Sequence, residues 1–404
     1  MWEAQPGVRR PIDMPAPRPR CTVHHPNFGQ KAGKRCWSLH ARIAGTGRTV
    51  GRSASLRLSI LTSVVVLEAQ RREHASVPAP LGRRMGKPGC RADGDPTKAR
   101  GTLVPSTMRI EKHEIPADGT VYKLEQPARV TVVSNTRLTE PESKDDIRQL
   151  VLVHQDQTVR YLEGQSVGII IPGAGEDGRP HRPRYYSVAS SRQGDDLSGT
   201  TLTLCVKRVW YQDVETGREQ QGLASGYLCD RQPGDELELI GPVGRRFLLP
   251  ADDTTDLILI AVGTGIAPFR AFIHYLYRVK RGWRGRVRLF FGSRTGMESL
   301  YMNRANDDIG LYLQEETFAA FRALSAGHPD DAERGFVQHR LIENRAEVWD
   351  ILSHQNFSIY ICGMKSMGDS AQEVFRDIAE EHGADWDDLL KEYKAQGRWN
   401  VEVY

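Results

Sequence analysis

The stretch from Leu257 to Leu276 constrains the fold of this 404-residue chain more than any other. Leu257-Ile258-Leu259-Ile260-Ala261-Val262 is a continuous apolar run, the pattern of a strand buried on both faces. Gly263-Thr264-Gly265-Ile266-Ala267-Pro268 follows at once. Phe269 to Leu276 then reads as a helix with Pro268 in its first turn, where a missing N–H is tolerated. Buried strand, glycine turn and helix make an α/β nucleotide-binding unit, although the full three-glycine dinucleotide fingerprint is absent. Further units open at Val287-Arg288-Leu289-Phe290-Phe291-Gly292 and at Phe357-Ser358-Ile359-Tyr360-Ile361-Cys362-Gly363. Ligands of such sheets bind beyond the carboxyl ends of the strands. Cys362 stands there, either beside a ligand or as a buried structural thiol.

Before Pro250 the pattern is different. Short strands are expected at 128–134, 149–154, 166–171, 202–211 and 236–240, with turn signals such as Pro172-Gly173 between them. With the central stretch at 184–190 they suggest a closed antiparallel β-barrel. That stretch is Arg184-Tyr185-Tyr186-Ser187-Val188-Ala189-Ser190, just past Pro183. A planar guanidinium suits a phosphate, a tyrosine face suits a planar ring, and a serine hydroxyl can bond the ring's edge. Those are the needs of a flavin dinucleotide, but the same residues also suit a hairpin arm with a surface Arg–Tyr pair. Gly222-Leu223-Ala224-Ser225-Gly226 reads as a tight turn entering a short helix. Its backbone N–H groups could meet a diphosphate, or Ser225 could simply cap the helix.

Charge divides the chain. Up to Thr107 there are 19 Lys and Arg against 6 Asp and Glu; from Met108 onward there are 36 against 45. The acidic body argues against nucleic-acid binding. The basic leader, residues 1–107, shows no lasting period and reads as disordered. It fits an organelle transit peptide, a disordered arm, or upstream translation with the working start at Met108. The last is favoured because Met108 falls just before the first strand-like pattern, which implies a cytoplasmic protein; a transit peptide would imply an organelle stroma or matrix. The apolar run Ser59 to Leu67 is too short to span a bilayer, and no transmembrane segment is expected. The six cysteines show no metal-ligand spacing and no disulfide framework, so no metal site is expected and a reducing compartment is the simplest inference.

In order, these motifs are Arg184-x-Tyr186-Ser187, Cys205-Val206-Lys207-Arg208, the Ser225 turn, Gly241-Pro242-Val243-Gly244, Gly263 to Arg270, Cys362-Gly363-x-Lys365-x-Met367, and Trp399 to Tyr404. From about Met108 to Tyr404 the chain resembles the plant-type ferredoxin–NADP reductase family. The resemblance implies a six-stranded FAD barrel at 108–250, then a parallel-sheet NADP domain at 251–404. It also implies an oxidoreductase that passes a hydride from NADPH to FAD and single electrons to ferredoxin or flavodoxin, or the reverse. On this resemblance Arg184 holds the FAD diphosphate, Tyr186 stacks on the isoalloxazine and Ser187 bonds near its N5. Tyr211 stacks near the adenine, and Ser225 with Leu223 and Ala224 supports the diphosphate. Thr264 and Gly265 meet the coenzyme, Cys362 and Glu402 lie by the hydride-transfer site, and Tyr404 covers the second flavin face. Tyr185, Cys205, Gln338, Gly363 and Met364 complete the expected cofactor contacts.

The sequence departs from the family around the coenzyme's 2′-phosphate. Ser325 is followed by Ala326 where many members carry arginine, and Phe336 stands where tyrosine is expected beside the adenine. Lys207 and Arg334 still offer charge, so NADPH is favoured and NADH stays possible. Asn303 to Glu316 matches nothing in the family, and its helical pattern is read as a partner or substrate surface. The reductase component of an oxygenase and a non-catalytic nucleotide-binding module are the alternative functions. An acidic ferredoxin meeting an acidic body requires a local docking patch.

Overall fold

The computed structural model describes residues 109–404 except 118, 155–158, 176 and 328–330. The leader and Met108, on which the readings of the N-terminus rest, lie outside the described residues. Strands β1 (Ala128–Arg137), β2 (Ile147–His154), β3 (Ser166–Ile169), β4 (Arg184–Ser187) and β5 (Thr201–Lys207) come first. A small hairpin follows, β6 (Trp210–Gln212) with β7 (Glu219–Gln221), then helix α1 (Leu223–Cys229) and β8 (Glu236–Val243). Six of these strands form one antiparallel sheet in the order β4-β3-β8-β1-β2-β5. Its two ends meet where Val188 bridges Leu204 and the Ala189 N–H donates to the Thr203 carbonyl at 2.7 Å, so the sheet curls shut. Alternation does the work: Val130, Val132, Leu150, Leu152, Leu237 and Leu239 point into one core.

The strand expected at 202–211 is two elements. The Arg208 N–H ends the ladder on the Asp146 carbonyl at 2.8 Å, and its side chain pairs with Asp146 and Asp230. The next N–H, of Val209, turns to the Ser225 hydroxyl at 3.1 Å. Trp210 and Tyr211 therefore belong to the separate hairpin.

The second sheet holds β9 (Asp256–Val262), β10 (Val287–Ser293), β11 (Phe318–Leu324), β12 (Phe357–Gly363) and β13 (Trp399–Val403). All pairs are parallel and the order is β11-β10-β9-β12-β13. Helices α2 (Ala267–His274), α3 (Val337–Glu343), α4 (Arg345–Ser353), α5 (Lys365–Glu381) and α6 (Trp386–Ala395) flank it. As the glycine turn required, β9 runs through a 3₁₀ turn at Gly263–Ile266 into α2, with Pro268 in the first turn. Among the described residues no helix is long and apolar enough to cross a membrane.

One core joins the two sheets. Phe247, on the chain leaving β8, lies 5.9 Å from Phe269, 6.0 Å from Phe272 and 5.1 Å from Tyr360, ring centre to ring centre. Arg270 of α2 is almost fully buried and donates to the Ala189 carbonyl at 2.7 Å, to Asp195 at 2.9 Å and to Asp308 at 2.6 Å. Ala189 lies two residues past β4, so the parallel sheet's first helix holds the end of the strand that carries Arg184 to Ser187.

The segment from Asn303 to Glu316 is not a helix. The Asn303 side chain accepts from the N–H groups of Ala305 and Asn306, and that of Asn306 accepts from Asp308. These local bonds compete with helix formation. A single 3₁₀ turn, Gly310–Tyr312, remains. Asp308 reaches back to Arg270 and His274, so the loop is anchored to α2 rather than presented as a helical surface.

Candidate active site: two clefts and a shared wall

The first cleft, about 510 Å³, opens beyond the carboxyl ends of β9, β10 and β11. Thr264, Lys207, Ser325, Phe336, Gln338, Met364 and Tyr404 all line it. The turn after β9 is held tightly against β12: a Cβ on Gly265 would sit 2.2 Å from the Cys362 carbonyl oxygen, so only glycine fits. Cys362 and Glu402 are register partners on β12 and β13 and therefore stand side by side. Burial pushes the Glu402 carboxyl up to about 7. The Cys362 thiol is buried and pushed well up by that burial and by the Glu402 charge.

Tyr404 continues from β13. Its N–H donates to the Gly363 carbonyl at 3.0 Å, and its hydroxyl bonds the Thr264 hydroxyl at 2.7 Å. Its ring is 70% exposed and is anchored at the mouth of the first cleft.

On β4, Arg184 and Tyr185 are exposed while Tyr186 and Ser187 are half-buried. Among the described residues the Arg184 guanidinium donates to the nearby Arg182 carbonyl alone, at 2.7 Å. Tyr186 packs on the barrel core, and burial lifts its phenol to about 12. Helix α1 begins at Gly222 with no side-chain cap, which leaves its first-turn N–H groups open. Ser225 does not cap it. The hydroxyl is buried, accepts from Val209 and donates to the Gly222 carbonyl at 3.2 Å, so it braces the hairpin against the helix start. Of its neighbours, Leu223 is exposed and Ala224 buried. Tyr211 is exposed on β6. The Cys205 thiol is buried in the core between the sheets. These residues suit a flavin dinucleotide: an exposed guanidinium, a half-buried ring, a small hydroxyl beside it and uncapped amides.

Two expected sources of charge for the coenzyme behave differently. Lys207 lines the first cleft but pairs with Asp145 at 2.7 Å. Arg334 is exposed and lies outside that lining. Arg294, just past the end of β10, does line it and was not among the expected residues. The rule that ligands gather beyond strand ends was the signal that could have found it.

The second cleft, about 780 Å³, lies behind the same wall. Arg109, Lys112, Arg245, Arg246, Lys365 and Lys394 line it, against Asp369 and Glu402. None of Arg109, Arg245, Arg246, Lys365 and Lys394 has a carboxylate partner among the described residues. Met364 and Tyr404 face the first cleft, while Lys365, Glu402 and Val403 face the second. The wall between them is thus the start of α5 and the last residues of β13.

Comparison with known proteins agrees with this architecture. Residues 259–373 match the oxidoreductase NAD-binding domain. A ferredoxin–NADP reductase of Thermosynechococcus vestitus is 36% identical over 302 residues, covering 74% of this chain and 77% of the relative. The chain belongs to the ferredoxin–NADP reductase family. A family member from Spirulina sp is 36% identical over 300 residues and is covered completely, with 72% of this chain. The chloroplastic leaf isozyme 2 of Oryza sativa subsp. indica is 34% identical over 333 residues, covering 80% of this chain and 89% of the relative. A ferredoxin–NADP⁺ reductase structure from Plasmodium falciparum superposes with a TM-score of 0.55 at 26% identity, covering 70% of this chain and 98% of that one.

Proposed function

We propose that this chain is an FAD-dependent oxidoreductase that moves electrons between NADPH and ferredoxin. The observation that carries the reading is the pair of clefts set back to back. One is a strand-end cleft sized for a dinucleotide, the other is rimmed with cations that have no carboxylate partner among the described residues, and the two share a wall. The family relatives bear the ferredoxin reductase name, so neither an oxygenase component nor a non-catalytic module is favoured.

FAD, when bound, supplies the step from two-electron to one-electron chemistry. The residues of the chain do the rest. Arg184 and the first-turn amides of α1 hold its diphosphate, and Tyr186 supports its ring with Ser187 beside it. Thr264 and Gly265 shape the turn that receives the coenzyme. Cys362, paired in register with Glu402, orients the reacting end, where a small misplacement is costly. Tyr404 covers the place the nicotinamide must occupy, so it moves when coenzyme binds. The basic cleft supplies the local docking patch that an acidic carrier needs on an otherwise acidic body. Residues 108–250 serve as the flavin domain and 251–404 as the coenzyme domain. The chain works in the cytoplasm, or in a plastid-type stroma if the basic leader is a targeting sequence, as the chloroplastic relatives favour.

The test is direct. Purified FAD-loaded protein should bleach with NADPH under anaerobic conditions and reduce cytochrome c only when ferredoxin is added. Failure of NADPH to bleach the flavin refutes the coenzyme half; cytochrome c reduction that ignores ferredoxin refutes the carrier half.

A further inference from the structure

The family's usual arginine after the coenzyme-cleft serine is Ala326 here, yet an arginine from a neighbouring strand end, Arg294, lines the same cleft. Ser325 and Ala326 leave β11 directly alongside Ser293 and Arg294 leaving β10. The Ser325 N–H donates to the Ser293 carbonyl at 3.0 Å, and the Ala326 N–H donates to the Arg294 carbonyl at 2.7 Å. The two backbones are thus zipped together past the end of the sheet. Arg294 lines the cleft with Ser325 and Phe336, and Phe336 offers an apolar ring that is 49% exposed.

The other two expected cations are placed differently. Lys207 is held at 2.7 Å by Asp145, which lines the same cleft, so that pair brings no net charge. Arg334 is exposed and lies outside the lining. The exposed Arg294 side chain has no hydrogen-bond or ion-pair partner among the described residues. Glu298, the remaining carboxylate of the lining, is occupied by Ser143 and Thr295. An unengaged guanidinium with a serine hydroxyl and a flat apolar face beside it is a fit for a phosphorylated ribose carrying an adenine.

We propose that Arg294 is the specificity-determining residue for the coenzyme's 2′-phosphate, taking over from strand β10 the role that position 326 has lost. The proposal rests on the NADPH reading above and deepens it. The 2′-phosphate is a dianion that NADH lacks, so the residue sets the preference between the two coenzymes without touching the hydride.

The experiment uses the full FAD-loaded chain. Steady-state KM and kcat with ferricyanide are measured for NADPH and NADH in wild type, Arg294→Gln, Arg334→Gln and the double variant Arg294→Gln/Ala326→Arg. Adenosine 2′,5′-bisphosphate binding is measured by calorimetry. Arg294 is exposed and unengaged, so its replacement spares the fold. Arg294→Gln should raise the NADPH KM and the bisphosphate Kd by 10- to 100-fold and shift the NADH KM by less than threefold. Arg334→Gln should do much less, and the double variant should recover most of the NADPH preference. A wild-type NADPH KM in Arg294→Gln, equal rises for both coenzymes, or a larger loss in Arg334→Gln each overturn the assignment. If wild type oxidises NADPH and only the Arg294 comparison is flat, the assignment alone falls. If wild type does not oxidise NADPH, the functional reading falls with it.

Discussion

The two clefts solve opposite electrostatic problems within one acidic body. The coenzyme cleft balances its charge internally: Lys207 is answered by Asp145, Glu298 is satisfied by hydroxyls and an amide, and one guanidinium is left over. The second cleft leaves five surface cations unanswered among the described residues, on the barrel (Arg245, Arg246), on the coenzyme domain (Lys365, Lys394) and on the incoming chain (Arg109). A small ligand can be recognised by one well-placed charge and a fitted pocket, because most of its surface is enclosed. A protein carrier is recognised across an open face, where many weak charges steer the encounter and fix its orientation. Net charge alone therefore says little about either partner; the pairing of each charge says much more.

The largest effect should come from breaking the second cleft. Charge reversal at Arg245→Glu with Arg246→Glu should lower the ferredoxin-linked rate by about 100-fold or more at low salt, since like-charge contacts suppress encounter. The loss with ferricyanide, which needs no docking, should be far smaller. In wild type, raising ionic strength should erode the ferredoxin-linked rate in the same selective way, because exposed charges are screened within about 10 Å at 0.1 M salt. Equal losses with both acceptors, or a salt-insensitive ferredoxin rate, would remove the docking role from this cleft.

Cys362→Ser tests the strand behind the wall. The thiol is buried and side by side with Glu402, and on the proposed reading a smaller, polar hydroxyl there shifts the group that orients the reacting end. Hydride transfer should slow by roughly 10- to 100-fold, with flavin content intact. Stopped-flow bleaching at the wild-type rate would make Cys362 a packing residue only.

The comparison also explains what could be read without coordinates. The two sheets were legible because their periods differ: alternation in β1 and β2, an unbroken apolar run in β9 and mostly apolar runs in β10 and β12. Strand β11 was not, since Phe318-Ala319-Ala320-Phe321-Arg322-Ala323-Leu324 is rich in alanine, a poor strand former, and gains its place from pairing with β10. The loop at 303–316 kept a helical pattern while its asparagines used the backbone for turns. In the site, glycines and the Arg-x-Tyr-Ser strand were visible as local chemistry. Charge balance was not: Lys207 is neutralised by a residue 62 positions away, and Arg294 matters only because β10 ends beside β11.

A subtler test lies in Glu402, the residue facing the second cleft from the wall. Its carboxyl titrates near 7 when folded against a usual 4.5, because burial disfavours its charge. The folded state then binds this proton more tightly than the unfolded chain. Stability therefore falls as pH rises from about 4.5 to 7. Glu402→Gln removes that dependence. Its melting temperature should exceed that of wild type at pH 8, and the gap should close toward pH 5. A gap that stays constant with pH would show that the carboxyl is not held up by burial.

The smallest effect, and the one that decides how many charges the second cleft really carries, concerns Lys112. Unlike its neighbours it is half-buried. Its amine donates to the Tyr360 hydroxyl at 2.5 Å and the Ser358 hydroxyl at 3.3 Å, with no carboxylate partner among the described residues. Burial lowers its pKa from 10.5 to about 7, so much of it is a neutral amine at working pH. The unfolded chain takes up this proton readily, while the folded chain resists. Stability is thus eroded as pH falls from about 10.5 to 7 and by no more below that. Lys112→Met fills the same slot without a charge to desolvate. It loses the amine's hydrogen bonds, but the Tyr360 hydroxyl keeps its own, to the Leu248 carbonyl at 2.6 Å. The variant should melt a few degrees above wild type at pH 7 and show a shrinking advantage toward pH 10. Its ferredoxin-linked rate at pH 8.5, well above that pKa, should keep the wild-type salt dependence, since a neutral amine contributes nothing to steering. A weaker salt dependence in Lys112→Met would mean that this lysine is charged in the cleft after all, and that burial does not separate it from the five cations at the surface.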